Sequence, residues 1–146
     1  MSITWVLAAD TTRANIYALG QIKGELVLIK ELENPEGRLK DGEIGFDKPG
    51  QFDDPMHGHS ESFEHTSPKA VELQQFARTI AKALESGRVN HAFERLVLVV
   101  SPHFHGILSK ELDPHVIDMI HKIIQKDYMR IPLHELYAHV IEFEHK

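Results

Sequence analysis

Three histidines lie close together in a glycine-containing stretch and could bind a transition metal through their imidazoles. They are His57, His59 and His65, and the chain has 11 histidines among its 146 residues. Imidazole nitrogen is a common ligand of zinc, copper and nickel. The remaining ligands would come from Asp53, Asp54, His103 or His105. One interpretation is a zinc or nickel site that assists hydrolysis, and the other is a group of solvated imidazoles without a native metal.

The rest of the composition excludes several kinds of catalysis and cofactor binding. The chain has no cysteine, which excludes thiol catalysis, disulfides and cysteine-ligated metals. It also lacks the Gly-x-Ser-x-Gly elbow, the P-loop and the Gly-x-Gly-x-x-Gly dinucleotide fingerprint. Apart from a divalent metal at the histidines, we therefore expect no cofactor.

The acidic charge is concentrated in one part of the chain. Lys and Arg number 16 against 22 Asp and Glu, a formal net charge of −6. Between Glu33 and Glu64 there are nine acidic and three basic residues, so this stretch holds the whole imbalance. Proteins that follow a phosphate backbone usually display a basic stripe, and none is visible in the linear sequence. Direct nucleic-acid binding is therefore weakly supported.

The first 33 residues predict three strands. Apolar and β-branched residues fill Ile3–Asp10, Arg13–Leu19 and Glu25–Glu33, with short gaps that suit turns. We therefore expect an antiparallel meander. Residues 34–66 follow as a long acidic, histidine-rich loop containing glycine and proline, and we expect this loop to be mobile.

The second half of the chain predicts helices and one more strand. Ser67 and Pro68 form a helix-start signature, and Gly87 is the predicted end of that helix. Arg95–Ser101 is typical of a buried parallel strand. Further helices are predicted from Pro102 toward Leu112, after Pro114 and after Pro132. The helix after Pro114 is expected to carry Val116, Ile117, Ile120, Ile123 and Ile124.

Together these elements predict one α/β domain spanning residues 1–146. Its mixed sheet has an antiparallel three-strand meander plus a parallel fourth strand, with helices packed on it. No apolar run approaches the ~18 residues of a membrane span, so we expect no span and a cytoplasmic location.

Several stretches resemble bacterial proteins called host attachment proteins. They are WVLAADTTRANIY, ENPEGRLKDGEIGFDKPGQF, SPKAVELQQFARTIAKAL, RLVLVVSPHFHGIL and IPLHELYAHV, in that order along nearly the whole chain. That family is similar in fold to the middle domain of archaeal and eukaryotic class-one release factors, a relative of the ribonuclease H architecture. The resemblance implies that the fourth strand lies parallel beside the first.

This strand order would place Asp10 beside Ser101, where open α/β sheets tend to bind ligands. Arg13, His103 and His105 would complete a polar pocket for a phosphate or carboxylate. In the alternative interpretation, Ser101 is a helix cap and Asp10 pairs with Arg13 to fix the turn. The release-factor likeness also makes Gln51, after Pro49 and Gly50, a candidate for the glutamine of a Gly-Gly-Gln loop, the alternative being an ordinary turn.

The resemblance favours a non-catalytic binding or adaptor protein over an enzyme. Its partner would be a protein or a ribonucleoprotein, with association to the translation machinery implied by the release-factor-like fold. The alternative function is a metal-assisted hydrolase that uses His57, His59 and His65. The sequence leaves the oligomeric state open.

Overall fold

The computed structural model describes residues 3–20, 25–34 and 67–144. Nine elements follow one another in these ranges. They are β1 (Thr4–Ala9), β2 (Arg13–Leu19), β3 (Leu26–Glu33), α1 (Pro68–Val89), β4 (Arg95–Val100), α2 (Pro102–Leu108), α3 (Pro114–Ile117), β5 (Ile120–Ile124) and α4 (Leu133–Glu144). The predicted loop at 34–66 lies outside the described residues, apart from its first residue.

The five strands form one mixed sheet in the order β3-β2-β1-β4-β5. β1 pairs antiparallel with β2, and β2 with β3, which confirms the predicted meander. β4 lies parallel to β1, as expected, and β5 lies parallel to β4. β1 is the central strand, and all six of its residues are buried because helices cover both of its faces.

Helix α1 begins as the sequence predicts and packs its apolar stripe on one face of the sheet. The Ser67 hydroxyl accepts a hydrogen bond from the Ala70 N–H at 3.1 Å, and Pro68 occupies the first turn. The helix runs to Val89, so the prediction that Gly87 ends it is wrong. Gly87 is buried inside the last turn, where its missing side chain allows the helix to pass close to Trp5.

The prediction of a helix through Ile124 is also wrong. α3 is a single turn that ends at Ile117, and Ile120–Ile124 is the edge strand β5. Leu98 pairs with Ile123 and Val99 with Ile124. The spacing of the isoleucines suits a helix, but the backbone pairing offered by β4 determines the conformation of this β-branched segment.

Two apolar clusters fill the spaces on either side of the sheet. One contains most of the buried side chains of α1, those of α2 and α3, and Leu7, Leu96 and Leu98. The other joins α4 to Val6 and Val97. The last helix is thus confirmed, whereas α2 ends at Leu108, short of the expected Leu112. Within the described ranges, no helix is long and apolar enough to cross a membrane.

Candidate functional site

The carboxyl ends of β1 and β4 lie side by side, as the predicted crevice requires. Ala9 pairs with Val100, and the Ser101 N–H donates to the Ala9 carbonyl at 3.2 Å. Asp10 and Ser101 therefore leave neighbouring parallel strands at the same edge. This confirms that the two residues are adjacent.

The Asp10 carboxylate is used within its own turn. Its Oδ1 accepts hydrogen bonds from the Thr12 N–H at 2.8 Å, the Thr12 hydroxyl at 3.0 Å and the Arg13 N–H at 3.0 Å. An aspartate that accepts from backbone groups two and three residues ahead replaces the hydrogen bonds of a turn. Asp10 thus fixes the connection from β1 to β2, which agrees with the second interpretation of the sequence, in which Asp10 has a role in the turn.

Arg13 does not join Ser101 in a common pocket. Its guanidinium donates to the Met129 carbonyl at 3.3 Å, and Met129 packs against the cluster on the α4 face of the sheet. Helix α2, which follows Ser101, places Phe104 in the cluster on the opposite face. The Arg13 guanidinium and helix α2 therefore lie on different faces of the sheet. Arg13 contacts Asp10 through the Arg13 backbone N–H and not through the charged guanidinium.

The residues after β4 form a short helix start. Ser101 is the cap residue, but its side chain accepts no capping hydrogen bond within the described part of the chain. His103 is exposed and His105 is half-buried. The crevice thus consists of Asp10 and Ser101 side by side with two nearby histidines, and anion binding there stays a prediction.

The remaining predicted site residues are Gln51, His57, His59 and His65, and all four lie outside the described residues. Among the residues that are described, no three His, Asp or Glu side chains come together in an arrangement that could hold a metal ion. The predicted zinc or nickel site is therefore untested.

A second surface, at the outer edge of β3, escaped the sequence-based interpretation. Val27, Leu28 and Ile29 are 42%, 47% and 47% exposed, although they are consecutive apolar residues in a strand. The register of the pairing between β3 and β2 shifts within this apolar run: Tyr17 pairs with Leu28, whereas Ile16 pairs with Lys30. The unbroken apolar run was the available signal, but such a run is more typical of a buried central strand.

The described architecture belongs to the class of α/β proteins with a mixed sheet between two helical layers. A family model described as "Protein required for attachment to host cells" matches residues 5–140. The chain therefore belongs to this family.

Comparison with solved structures finds a likeness to the archaeal translation termination factor aRF1. Sequence identity is 9% and the TM-score is 0.45, over 98% of this chain and 39% of the termination factor. The chain thus spans well under half the length of that protein. None of the curated proteins compared with the chain matches it in sequence.

Proposed function

We propose that this chain is a non-catalytic binding protein that contributes to host-cell attachment by pairing its β3 edge with an extended segment of a partner protein. Attachment is suggested by the description of the family. The exposure of Val27, Leu28 and Ile29 on an outer strand supports the location of the binding surface.

The backbone of β3 supports this mode of binding. β3 ends the sheet order, with β2 as its neighbour on one side. An edge strand presents N–H and C=O groups that can add a further strand from another chain, and the side chains that flank the new strand determine which segment fits. A partner segment would therefore gain backbone hydrogen bonds from β3 and apolar contacts from its side chains.

The apolar side chains of the β3 edge occur on both faces of the sheet. Val27 pairs with Ala18, which packs against the cluster under α1, and Leu28 pairs with Tyr17, which belongs to the cluster under α4. Opposite residues in a strand pair point to the same face. Neither helical layer covers this part of β3 fully, so an added strand could contact apolar side chains on both faces.

Charge favours a basic partner segment over a second copy of this chain. The part of β3 around the exposed apolar residues carries Glu25, just before the strand, and Glu31 against Lys30. A two-fold self-pairing centred on Leu28 would set Glu25 of one copy opposite Glu31 of the other, which is unfavourable. A segment with alternate apolar residues flanked by Lys or Arg is complementary.

The test places a charge at the centre of the edge. Leu28→Lys should abolish capture of the partner and reduce attachment of the cells to their host. The matched control is Val89→Lys, because Val89 is also an exposed apolar residue, 56% accessible, at the end of α1. Both variants should keep the unfolding midpoint of the parent protein within a few degrees.

Two outcomes would overturn the proposal. Attachment and partner capture could survive Leu28→Lys in a folded protein, or Val89→Lys could impair them equally. A concentration-dependent dimer that Leu28→Lys abolishes would instead mean that the edge pairs with itself, and sedimentation measurements detect it.

Three predictions from the sequence remain open beside this proposal. Association with the translation machinery would appear as ribonuclease-sensitive co-purification with ribosomal components. Hydrolysis by a metal bound to His57, His59 and His65 would require stoichiometric zinc or nickel that survives dialysis of an untagged preparation. A cytoplasmic location would be tested by cell fractionation.

A further inference from the structure

An open groove runs between α1 and the segment that connects α2 to α3. Its volume is about 440 Å³, and the polar residues that line it are Arg78, Lys82, Glu85, Ser86, Glu111 and Asp113. Ala81 also lines it, and most of the lining surface consists of carbon atoms. This groove is on a different part of the molecule from the β3 edge, so a ligand in it would be independent of the proposed function.

Two residues that line the groove, Arg78 and Glu111, form an ion pair. Glu111 accepts from the Arg78 Nε at 3.0 Å and from the Gln74 Nε2 at 3.1 Å, so that each of its two carboxylate oxygens has a donor. The Glu111 side chain is 16% exposed. Its negative charge is therefore balanced and its oxygens are already in use.

The other two acids that line the groove, Glu85 and Asp113, also accept hydrogen bonds. Glu85 receives two hydrogen bonds from Arg88, at 2.8 and 2.7 Å, in the two-pronged geometry that guanidinium and carboxylate favour. The Asp113 Oδ1 accepts from the N–H of His115 at 2.7 Å and contacts its Nδ1 at 2.9 Å. These local contacts hold the acids in place at the rim.

Lys82 lies one helical turn from Arg78 and nearly one turn from Glu85, in the middle of the groove wall. It makes no hydrogen bond or ion pair with any residue in the described ranges. Glu85, Glu111 and Asp113 already accept hydrogen bonds from other residues, and Arg78 is paired with Glu111, so Lys82 is the lining cation without an ion pair to any described residue. The adjacent lining consists of Ala81 and the methylene stems of the long side chains.

We propose that the groove binds a monocarboxylate that carries a small apolar body, with the carboxylate on Lys82 and the apolar body against Ala81. The volume falls within the range of small-molecule sites, which combine a mostly apolar lining with a few polar groups that fix orientation. The carboxylates of Glu85, Glu111 and Asp113 disfavour phosphate and other multiply charged anions, because such ligands would bring more negative charge among three acids. A single negative charge matches the one lining ammonium that has no ion pair among the described residues.

Benzoate is the probe for the first experiment, and the readout is the set of backbone amide shifts during a titration. Shifts should concentrate at residues 78–86 and 111–113. Benzyl alcohol has a similar body without the charge and should bind at least about tenfold more weakly. Lys82→Met should weaken benzoate by a similar factor, whereas the matched control Lys126→Met, which alters an exposed lysine after β5, should leave it unchanged.

A second variant tests the position of the apolar body. Ser86 is an exposed helix residue that lines the groove, so Ser86→Leu should fill the groove without disturbing the core. It should reduce benzoate binding although Lys82 remains. Comparison of benzoate with N-acetylphenylalanine then distinguishes a free acid from the carboxyl terminus of a peptide, according to which binds more tightly.

The proposal fails if benzyl alcohol and benzoate bind equally, or if Lys126→Met and Lys82→Met have the same effect. It also fails if the amide shifts scatter over the surface, or if Ser86→Leu binds benzoate as well as the parent protein does. Loss of β3 pairing in the Leu28→Lys variant should leave benzoate binding intact, so the two proposals fail separately.

Discussion

Gly87 lies directly against the indole ring of Trp5. A Cβ atom built on Gly87 would be 2.6 Å from both Cη2 and Cζ3 of Trp5, and 3.1 Å from Cε1 of Phe93. The two rings stack with their centroids 4.7 Å apart, and both are buried. The last turn of α1 can thus approach β1 only where the helix has no side chain.

This contact predicts opposite effects for two glycine substitutions. Gly87→Ala should destabilise the protein by about 1–3 kcal/mol, because overpacking against two buried rings outweighs the gain in helix propensity. Gly106→Ala should stabilise it by about 0.5–1 kcal/mol, since Gly106 is in α2 and a Cβ there meets no atom within 4 Å. Urea unfolding measures both changes. A stabilising Gly87→Ala would contradict this close packing of α1 on Trp5.

The error at Gly87 shows what a local pattern leaves out. Glycine near the end of an apolar helical pattern usually marks the end of the helix, and the sequence offered no sign of Trp5 at that position. The segment Ile120–Ile124 was mistaken for helix for a related reason, since pairing with β4 is a contact between distant parts of the chain. The meander needed no such information, because its strands are joined by short turns.

Phe76 tests the apolar stripe of α1. Its ring is 4% exposed and stacks on Phe104 with centroids 5.7 Å apart. Phe76→Ala should cost about 3–5 kcal/mol, because the substitution removes a buried ring and leaves a cavity. Val71→Ala on the same helix is the control, since Val71 is exposed and should cost less than about 1 kcal/mol. Equal costs for the two variants would contradict the assignment of the buried face.

Glu111 links stability to pH. Hydrogen bonds from Gln74 and Arg78, together with the charge of Arg78, hold the pKa of the Glu111 carboxyl below its ordinary value. A carboxyl whose pKa is lower in the folded state contributes stability that is present above the unfolded-state pKa, about 4.3 for Glu, and is lost as the pH falls through the folded-state pKa. Glu111→Gln should therefore make stability decline less steeply between about pH 5 and pH 3.

Unfolding by urea at several pH values measures the effect of Glu111→Gln. Glu142→Gln is the control, because Glu142 is an exposed acid on α4. If the free energy of unfolding depends on pH in the same way in Glu111→Gln as in the parent protein, the contacts of Glu111 do not contribute to this dependence. The same conclusion follows if Glu142→Gln changes the dependence as much as Glu111→Gln does.

The candidate crevice was predictable only in part. Parallel β1 and β4 place Asp10 beside Ser101, and that follows from strand order alone. The position of the Arg13 guanidinium depends on the Met129 carbonyl, 116 residues away along the chain, and no local pattern encodes such a contact. The β3 edge escaped prediction because the sequence of a strand does not reveal whether a neighbour covers it.

Asp10 provides the last prediction, because its structural and ligand-binding interpretations have different consequences. Its Oδ1 accepts three hydrogen bonds that shape the turn between β1 and β2. The Asn34 side chain donates to the Thr11 carbonyl at 3.1 Å and ties the end of β3 to the same turn. Asp10→Ala should therefore cost about 1–2 kcal/mol in urea unfolding, whereas Asp10→Asn keeps an acceptor oxygen and should cost less. Equal stability of both variants with the parent protein would contradict the turn assignment. A phosphate titration whose amide shifts centre on Ser101 and His103 would then favour the anion site.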